Sequence, residues 1–515
     1  MKHKWLLIVI TVLGLLLRTI KLDSRPLGFT WDEAAIGYNA YSLVKTGRDE
    51  FGMITPLVFK SFGDFKPGLY IYFSALPIKI LGLNEFATRL PSAIFGTLLI
   101  LAVYLLSKSI FASTITAFNP WLIHFSRGAW EANLCLLLTV LGMVCLQRKK
   151  LILAAVLLGL TFITYQGAKL FTPLILLSWI FIYRPNLKKL ILPGLVIFGF
   201  LVPILFGITT QSGRLNVYSV FSYTRSVETV AEIKRQDPPN LRNLYFNLFH
   251  LELIDQSRGV LQRYFNYFSP KYLFFAGDWT SLRHSTPYIG YFYLPEIICL
   301  ILGLTYLVKH FNKFSALVFI WALLAPIPAA LSRDLVSGVR SLPLSIPLIM
   351  IMGVGLSQIW RRKLIIIPYL IIYIFFFAYF IDLYLIHSPQ FTGVDWLTAY
   401  KPAMQIVNQK QSEVSDVYIT NKFGQPYIFV LFYTAYDPAT YQKRSQFIAN
   451  SNGDVGEVTG FGKYHFQPIF WPSLKDQKSA LIIGGEYELP VNDTQPFATI
   501  YYPNGKIALK CVTTN

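Results

Sequence analysis

The chain has 515 residues, 54% hydrophobic and 16% aromatic against only 14% charged, with a mean hydropathy of +0.47. This composition excludes an ordinary soluble protein, and the length exceeds one simple domain. The formal net charge of +19 would suit a nucleic-acid partner if it were clustered, but its placement along the chain gives it another meaning.

The first apolar run, 5–21, follows MKHK without a small-residue cleavage site, so it reads as a retained anchor and not a signal peptide. Further spans are predicted over 89–107, 110–124, 132–147, 151–165, 170–183, 190–208, 291–308, 314–331, 341–358 and 364–386, making eleven. With the N-terminus placed in the cytoplasm, the loops 107–109, 148–150, 184–189, 309–313 and 361–363 are cytosolic. These loops carry Lys and Arg and not one Asp or Glu. All 27 acidic residues then fall outside or at the outer end of a span, so the positive-inside rule is obeyed and the basic excess is an orientation signal. A nucleic-acid partner is not expected.

Three parts project outward. The first is the loop 22–88, in which Phe65–Leu83 is apolar and aromatic but interrupted by Pro67, Gly68 and Pro77. It suits a helix lying in the interface, with Tyr70, Tyr72 and Phe73 at headgroup depth. The second is the loop 209–290, containing "KRQDPPN" and "FFAGDWTSLRHSTPY". The third is the region 389–515, where β-type stretches ("DVYIT", "YIFVLFY", "SALIIGG", "FATIYY", "KIALKC") alternate with turn signals such as "SNGD" and "PNG". The expected fold is an α-helical polytopic membrane domain, 1–388, with a small extracytoplasmic α/β or mostly β domain, 389–515. Cys135, Cys145 and Cys299 lie in apolar runs and Cys511 near the C-terminus, so no disulfide framework is implied.

Polar residues near the outer span ends mix signs: Asp32, Glu33, Asp64, Lys66, Arg89, Arg127, Glu131, Lys169, Arg283, His284, Arg333, Asp334 and Arg340. Ionisable groups at membrane depth are costly and tend to be paired or functional. Carboxylates beside Lys and Arg suit a reaction that needs a proton acceptor and a clamp for a phosphate leaving group. Each residue also has an ordinary structural reading. Asp32 and Glu33 in "GFTWDEAAIGYNAY" suit the capping of a helix as well as chemistry. Lys66 in "GDFKPG" suits a phosphate ligand or a snorkelling lysine. Arg127 and Glu131, four apart, would share a helical face as an ion pair. Arg333 and Arg340 flank "SRDLVSGVRS", suiting a phosphate site or headgroup anchoring. His284 has no second ligand at metal spacing, so no metal is expected there. There is no glycine-rich phosphate loop, HExxH or GxSxG.

The string "TWDEAAIGYNAYSLVKTGRDEFG" with "FKSFGDFKPGLYIYFSALPIKILGLNEFATRLPSAIFG" resembles the first outer loop and following span of the membrane GT-C glycosyltransferases. The nearest kin are bacterial relatives of protein O-mannosyltransferases and of the aminoarabinose transferase. "NPWLIHFSRGAWEANL", "TYQGAKLFTPL" and "AGDWTSLRHSTPYIGYFYLPE" continue the likeness, which covers roughly 5–390. It implies transfer of a sugar from a polyprenyl-phosphate carrier to a protein, lipid or glycan acceptor at the outer membrane face, with no sugar nucleotide; no cofactor is expected, and a divalent metal stays open as an alternative. It implies Asp32 as base with Glu33 its neighbour, Lys66 on the carrier phosphate, and Arg127 and Glu131 in the second outer loop. The sequence departs from the family pattern at Gly68, where relatives often carry a second proline, and at "SGVRS", where a Pro-His pair tends to precede the arginine corresponding to Arg340. A transporter or flippase of polyprenyl-linked sugars, or a glycan ligase or polymerase, are competing readings. The transporter would place polar residues mid-membrane in broken helices, whereas the charges here gather at the outer ends.

Overall fold

The computed structural model describes residues 2–62, 64–206, 219, 224–448, 456–490 and 492–514. The chain opens with helix α1 (Lys2–Thr19) and α2 (Trp31–Thr46), then the antiparallel hairpin β1 (Val58–Ser61) and β2 (Asp64–Pro67), and α3 (Leu69–Leu81). Helices α4 (Glu85–Ser107), α5 (Ile110–Phe118), α6 (Pro120–Ser126), α7 (Glu131–Gln147), α8 (Leu151–Phe162), α9 (Ala168–Tyr183) and α10 (Ile191–Phe206) follow. Local chemistry fixes their ends. Asn84 accepts from Ala87 N–H to start α4, and α2 stops at Gly47, whose φ of +68° is the left-handed conformation that glycine adopts at little cost.

Four described helical segments are long and apolar enough to cross a membrane: Glu85–Ser107, Lys313–Ala330, Leu342–Trp360 and Lys363–Thr392. A fifth arises if α6 and α7, bent by 118°, count as one span. The eleven predicted spans therefore exceed what these helices support. The helices at 110–118, 151–162 and 168–183 are too short for a ~30 Å apolar core. Three charges, Lys2, Lys4 and Arg18, fall within α1. Residues 207 and 208 of the predicted span 190–208 lie outside the described residues. The predicted span 110–124 is broken at Asn119–Pro120, where Asn119 caps α6 and proline takes its first position.

The interfacial helix expected over 65–83 also differs. Phe65–Pro67 belong to β2, paired with Val58–Lys60 of β1, and the helix starts at Leu69; Gly68 between them lies so close to Phe59 that an added Cβ would sit 2.4 Å from its ring. Tyr70 is fully buried inside the protein. Its O–H donates to Thr88 O at 3.3 Å and its oxygen accepts from Ser92 N–H at 3.2 Å. Phe73 remains 46% exposed.

The C-terminal region forms a seven-stranded mixed sheet from β3 (Asp416–Ile419), β4 (Gln446–Ile448), β5 (Glu457–Phe461), β6 (Tyr464–Phe466), β7 (Ala480–Gly484), β8 (Ala498–Tyr501) and β9 (Ile507–Thr513), in the order β4-β5-β6-β3-β7-β9-β8. Strand β3 runs parallel to β6 and β7, and the other pairs are antiparallel. "YIFVLFY", read as a strand, is the helix Pro426–Tyr433. Proline at its start and burial all round remove the alternation that separates the two structures. This helix packs on α2: the ring of Phe432 and the hydroxyl of Thr88 approach Gly37 so closely that a Cβ there would lie 2.5 and 2.7 Å from them. Phe29, Ala34, Ala35 and Tyr38 share one apolar core with Ile428, Phe432 and Tyr441. The first loop and the C-terminal domain therefore form one packed body.

Candidate active site

Asp32 and Glu33 occupy the first turn of α2 and have different surroundings. Thr30 is the N-cap: its Oγ1 accepts from Glu33 N–H at 3.3 Å, while its own N–H donates to Glu33 Oε2 at 3.1 Å, a capping box. Glu33 is also gripped by Arg89 of α4, Nε to Oε1 at 2.8 Å and Nη2 to Oε2 at 3.1 Å, and by Ala129 N–H at 3.0 Å. Arg89 donates further to the carbonyls of Leu22, Pro26 and Gly28. Both side chains are buried, so this fork-to-fork pair is satisfied and closed to ligands.

Asp32 points the other way and forms an ion pair with Lys66 Nζ, which reaches it from β2. The carboxylate of Asp32 is 38% exposed and the Lys66 side chain only 8%. A wet carboxylate thus meets a lysine whose stem is sheltered. Asp64 sits in β2 opposite Ser61, and its side chain lies outside the described residues.

The remaining predicted residues fall into three groups. Arg127 stands at the break between α6 and α7 and donates to the carbonyls of Leu17, Ile20, Lys21 and Arg25. Glu131 lies in the first turn of α7, beyond that break, so the two do not share a helical face as expected. The sharp bend puts Arg127 to work tying the end of α1. Arg283 lies over the Trp31 ring, 5.4 Å from its centroid, on the residue preceding Asp32. His284 Nδ1 meets Asp278 Oδ2 at 2.9 Å. Arg340 pairs with Asp334 and donates to Ser332 Oγ. It also lines a small cavity shared with Ala132, Tyr165 and Gly167, and the neighbouring Gln166 donates to Phe65 O at 3.1 Å, next to Lys66.

Asp278 was missed by the sequence reading. It accepts from Thr280 N–H and Oγ1, from Ser281 N–H, from Gly338 N–H and from His284. Burial pushes its carboxyl up, but the bond and charge of His284 with the other donors outweigh this and hold it below its ordinary value. The only signal for this was an aspartate six residues before the histidine, which by itself is weak.

No protein-family model matches this sequence, and no curated protein matches it. Among solved structures, ArnT from Cupriavidus metallidurans in the apo state is similar at a TM-score of 0.56 and 12% identity, covering 99% of this chain and 98% of that one. The same protein bound to undecaprenyl phosphate gives 0.52 and 13%, covering 98% and 97%. This chain has the fold of ArnT. Archaeal oligosaccharyltransferase AglB from Archaeoglobus fulgidus, solved with an inhibitory peptide and a dolichol-phosphate, is more distant. It shows 12% identity over 84% of this chain and 63% of that one, and its TM-score of 0.46 is too low to carry an argument. The ArnT likeness extends over the helices and the C-terminal sheet alike, so that sheet belongs to the fold.

Proposed function

We propose that this protein is a membrane glycosyltransferase that moves a sugar from a polyprenyl-phosphate carrier to a protein, lipid or envelope-glycan acceptor. The observation that carries the reading is the Asp32–Lys66 pair, a proton acceptor and a phosphate-binding cation in contact beside apolar helices. The fold supports it, since ArnT, which has this fold, has been solved with undecaprenyl phosphate bound.

In this mechanism the carrier phosphate draws the Lys66 ammonium away from Asp32 and frees the carboxylate. Asp32 takes the proton of the acceptor hydroxyl, whose oxygen attacks the anomeric carbon from the face opposite the phosphate. The bond from that carbon to the phosphate oxygen breaks, the electron pair leaves with the lipid phosphate, and Lys66 neutralises the charge that develops. The configuration at the anomeric carbon inverts. Glu33 is a scaffold residue in this scheme, because both its oxygens are already engaged. Arg283, over the Trp31 ring, and His284, against the Trp130 ring, complete the donor or acceptor surface in this scheme, with Arg340 and Glu131 as its further charges. The N-terminus is cytoplasmic and the 389–515 domain extracytoplasmic in this scheme, as the basic loops require.

The test is Asp32→Asn assayed for sugar transfer from a polyprenyl-phosphate donor. Loss of a positioned base lowers turnover by about 10²–10⁴-fold. Transfer within twofold of wild type by a folded variant would overturn the assignment.

A further inference from the structure

The hairpin that carries Lys66 is held from the C-terminal domain. Its turn residue Phe62 has a φ of +57° and is buried. Phe62 N–H donates to Tyr427 Oη at 3.4 Å, and Phe62 O accepts from Gly456 N–H at 2.5 Å. The Phe62 and Tyr427 rings meet edge-on with centroids 6.0 Å apart. Gly456 is itself fixed by Gln425, whose Nε2 donates to its carbonyl at 3.1 Å. An added Cβ at Gly456 would lie 2.6 Å from Ile448 O and from the Phe447 ring, so glycine is what lets the backbones approach.

Tyr427 closes a second circuit. It donates to Glu50 Oε1 at 3.3 Å, Glu50 N–H donates to Asn39 Oδ1 at 2.9 Å, and Asn39 Nδ2 donates to Ser61 Oγ at 3.2 Å. The hairpin tip is thus bound by the C-terminal domain on one side and by α2 on the other. Nearby in β1, Lys60 Nζ lies 4.2 Å from the Phe447 ring centroid, a further tie to the same domain.

The Phe62 ring so held is the surface on which Lys66 rests, with Nζ 4.7 Å from its centroid. A lysine is a point charge on a flexible stem, and it needs an external surface to fix its ammonium. We infer that the C-terminal domain positions Lys66 for the carrier phosphate by clamping Phe62, which makes Phe62 and Tyr427 positioning residues of the donor site. This rests on the function proposed above. Burial, with the charge of Asp49, pushes the Glu50 carboxyl up to about 8. Protonated at neutral pH, Glu50 does not compete with Asp32 or a phosphate for the ammonium.

Binding of undecaprenyl phosphate to the purified full chain in detergent tests the inference, with thermal unfolding measured in parallel. Phe62→Leu removes the aromatic face and is expected to weaken binding by about three- to tenfold at an unchanged Tm, whereas Phe62→Tyr restores it to within about twofold of wild type. Tyr427→Phe keeps the ring and removes the hydroxyl, and it is expected to weaken binding by about two- to threefold. Lys66→Ala separates the two claims. If it abolishes binding while Phe62→Leu and Tyr427→Phe bind like wild type, the positioning role is overturned and the proposed function stands. If Lys66→Ala itself binds like wild type, the proposed function falls and takes the inference with it. Should Phe62→Leu fail to fold, Tyr427→Phe decides, and unchanged binding there overturns the clamp.

Discussion

The two flanks of the first turn of α2 differ in how much of their charge is already used. On the flank facing α4, Glu33 and Arg89 are buried and saturated by one another and by backbone groups. On the flank facing the hairpin, Asp32 is partly wet and meets Lys66. Adjacent carboxylates therefore serve opposite ends. One fixes where the helix starts and how it sits on α4, and the other stays partly exposed, which under the proposed function lets the carrier phosphate compete for its partner. The closed flank gives the open flank its rigidity.

Breaking the closed flank has the largest predicted effect on stability. Arg89→Met strands a buried carboxylate and is expected to cost about 3–5 kcal/mol, read as a lowered Tm in detergent. Lys66→Met, which leaves only a partly exposed carboxylate behind, should lower Tm far less. Equal losses in the two variants would mean that the flanks do not differ as described.

Behind the open flank, Glu50 allows a pH test. Its carboxyl is held above the ordinary value by burial first and by Asp49 next, with Ser61, Tyr427 and Lys66 opposing and Tyr38 and Tyr441 also facing it. The fold thus favours the protonated form. That stability is fully present below the unfolded value near 4.5 and is lost as pH rises through about 8. Glu50→Gln keeps a neutral group, so its Tm should gain on wild type by several degrees between about pH 5 and about pH 8. A gap that stays constant with pH would show that Glu50 does not titrate in this window.

Two smaller effects sharpen the comparison. Asp278→Asn presents an NH₂ group to a ring of donors and should cost about 1–3 kcal/mol, in addition to loosening His284. Asn84→Ala removes the cap of α4 and should cost about 1 kcal/mol, which a shift in Tm would report. It should leave lipid-phosphate binding alone.

The sequence made the closed flank only half legible. "TWDE" before an apolar helix announces a capping box, and Arg89 stands out as a charge at the end of a span. Nothing in the spacing says that these two residues choose each other and leave Asp32 to Lys66, because that choice is made by the way α2 lies across α4. The hairpin was invisible for a similar reason: "FKSFGDFKPG" has neither strict alternation nor an Asn-Gly turn, and its strands are held by Tyr427 and Gly456, nearly four hundred residues away in sequence. Strands β3, β7, β8 and β9 of the C-terminal sheet were readable from their apolar, β-type runs, but the short β4, β5 and β6 were not, and "YIFVLFY" was misread, since a fully buried helix shows no amphipathic period. Arg127 was read as a charge pair and instead binds four carbonyls, a role that depends on a bend composition does not encode. Helix α4, which carries Arg89, was in contrast plain from hydropathy, although the apolar helices support fewer complete spans than the sequence suggested.

The most direct test compares undecaprenyl-phosphate binding in Lys66→Ala and Asp32→Asn. If the phosphate displaces Asp32 from the lysine, removing the ammonium weakens binding by at least about tenfold, whereas neutralising the carboxylate tightens it, because a like charge and a competitor both disappear. Equal weakening in both variants, or no change in either, would contradict the account.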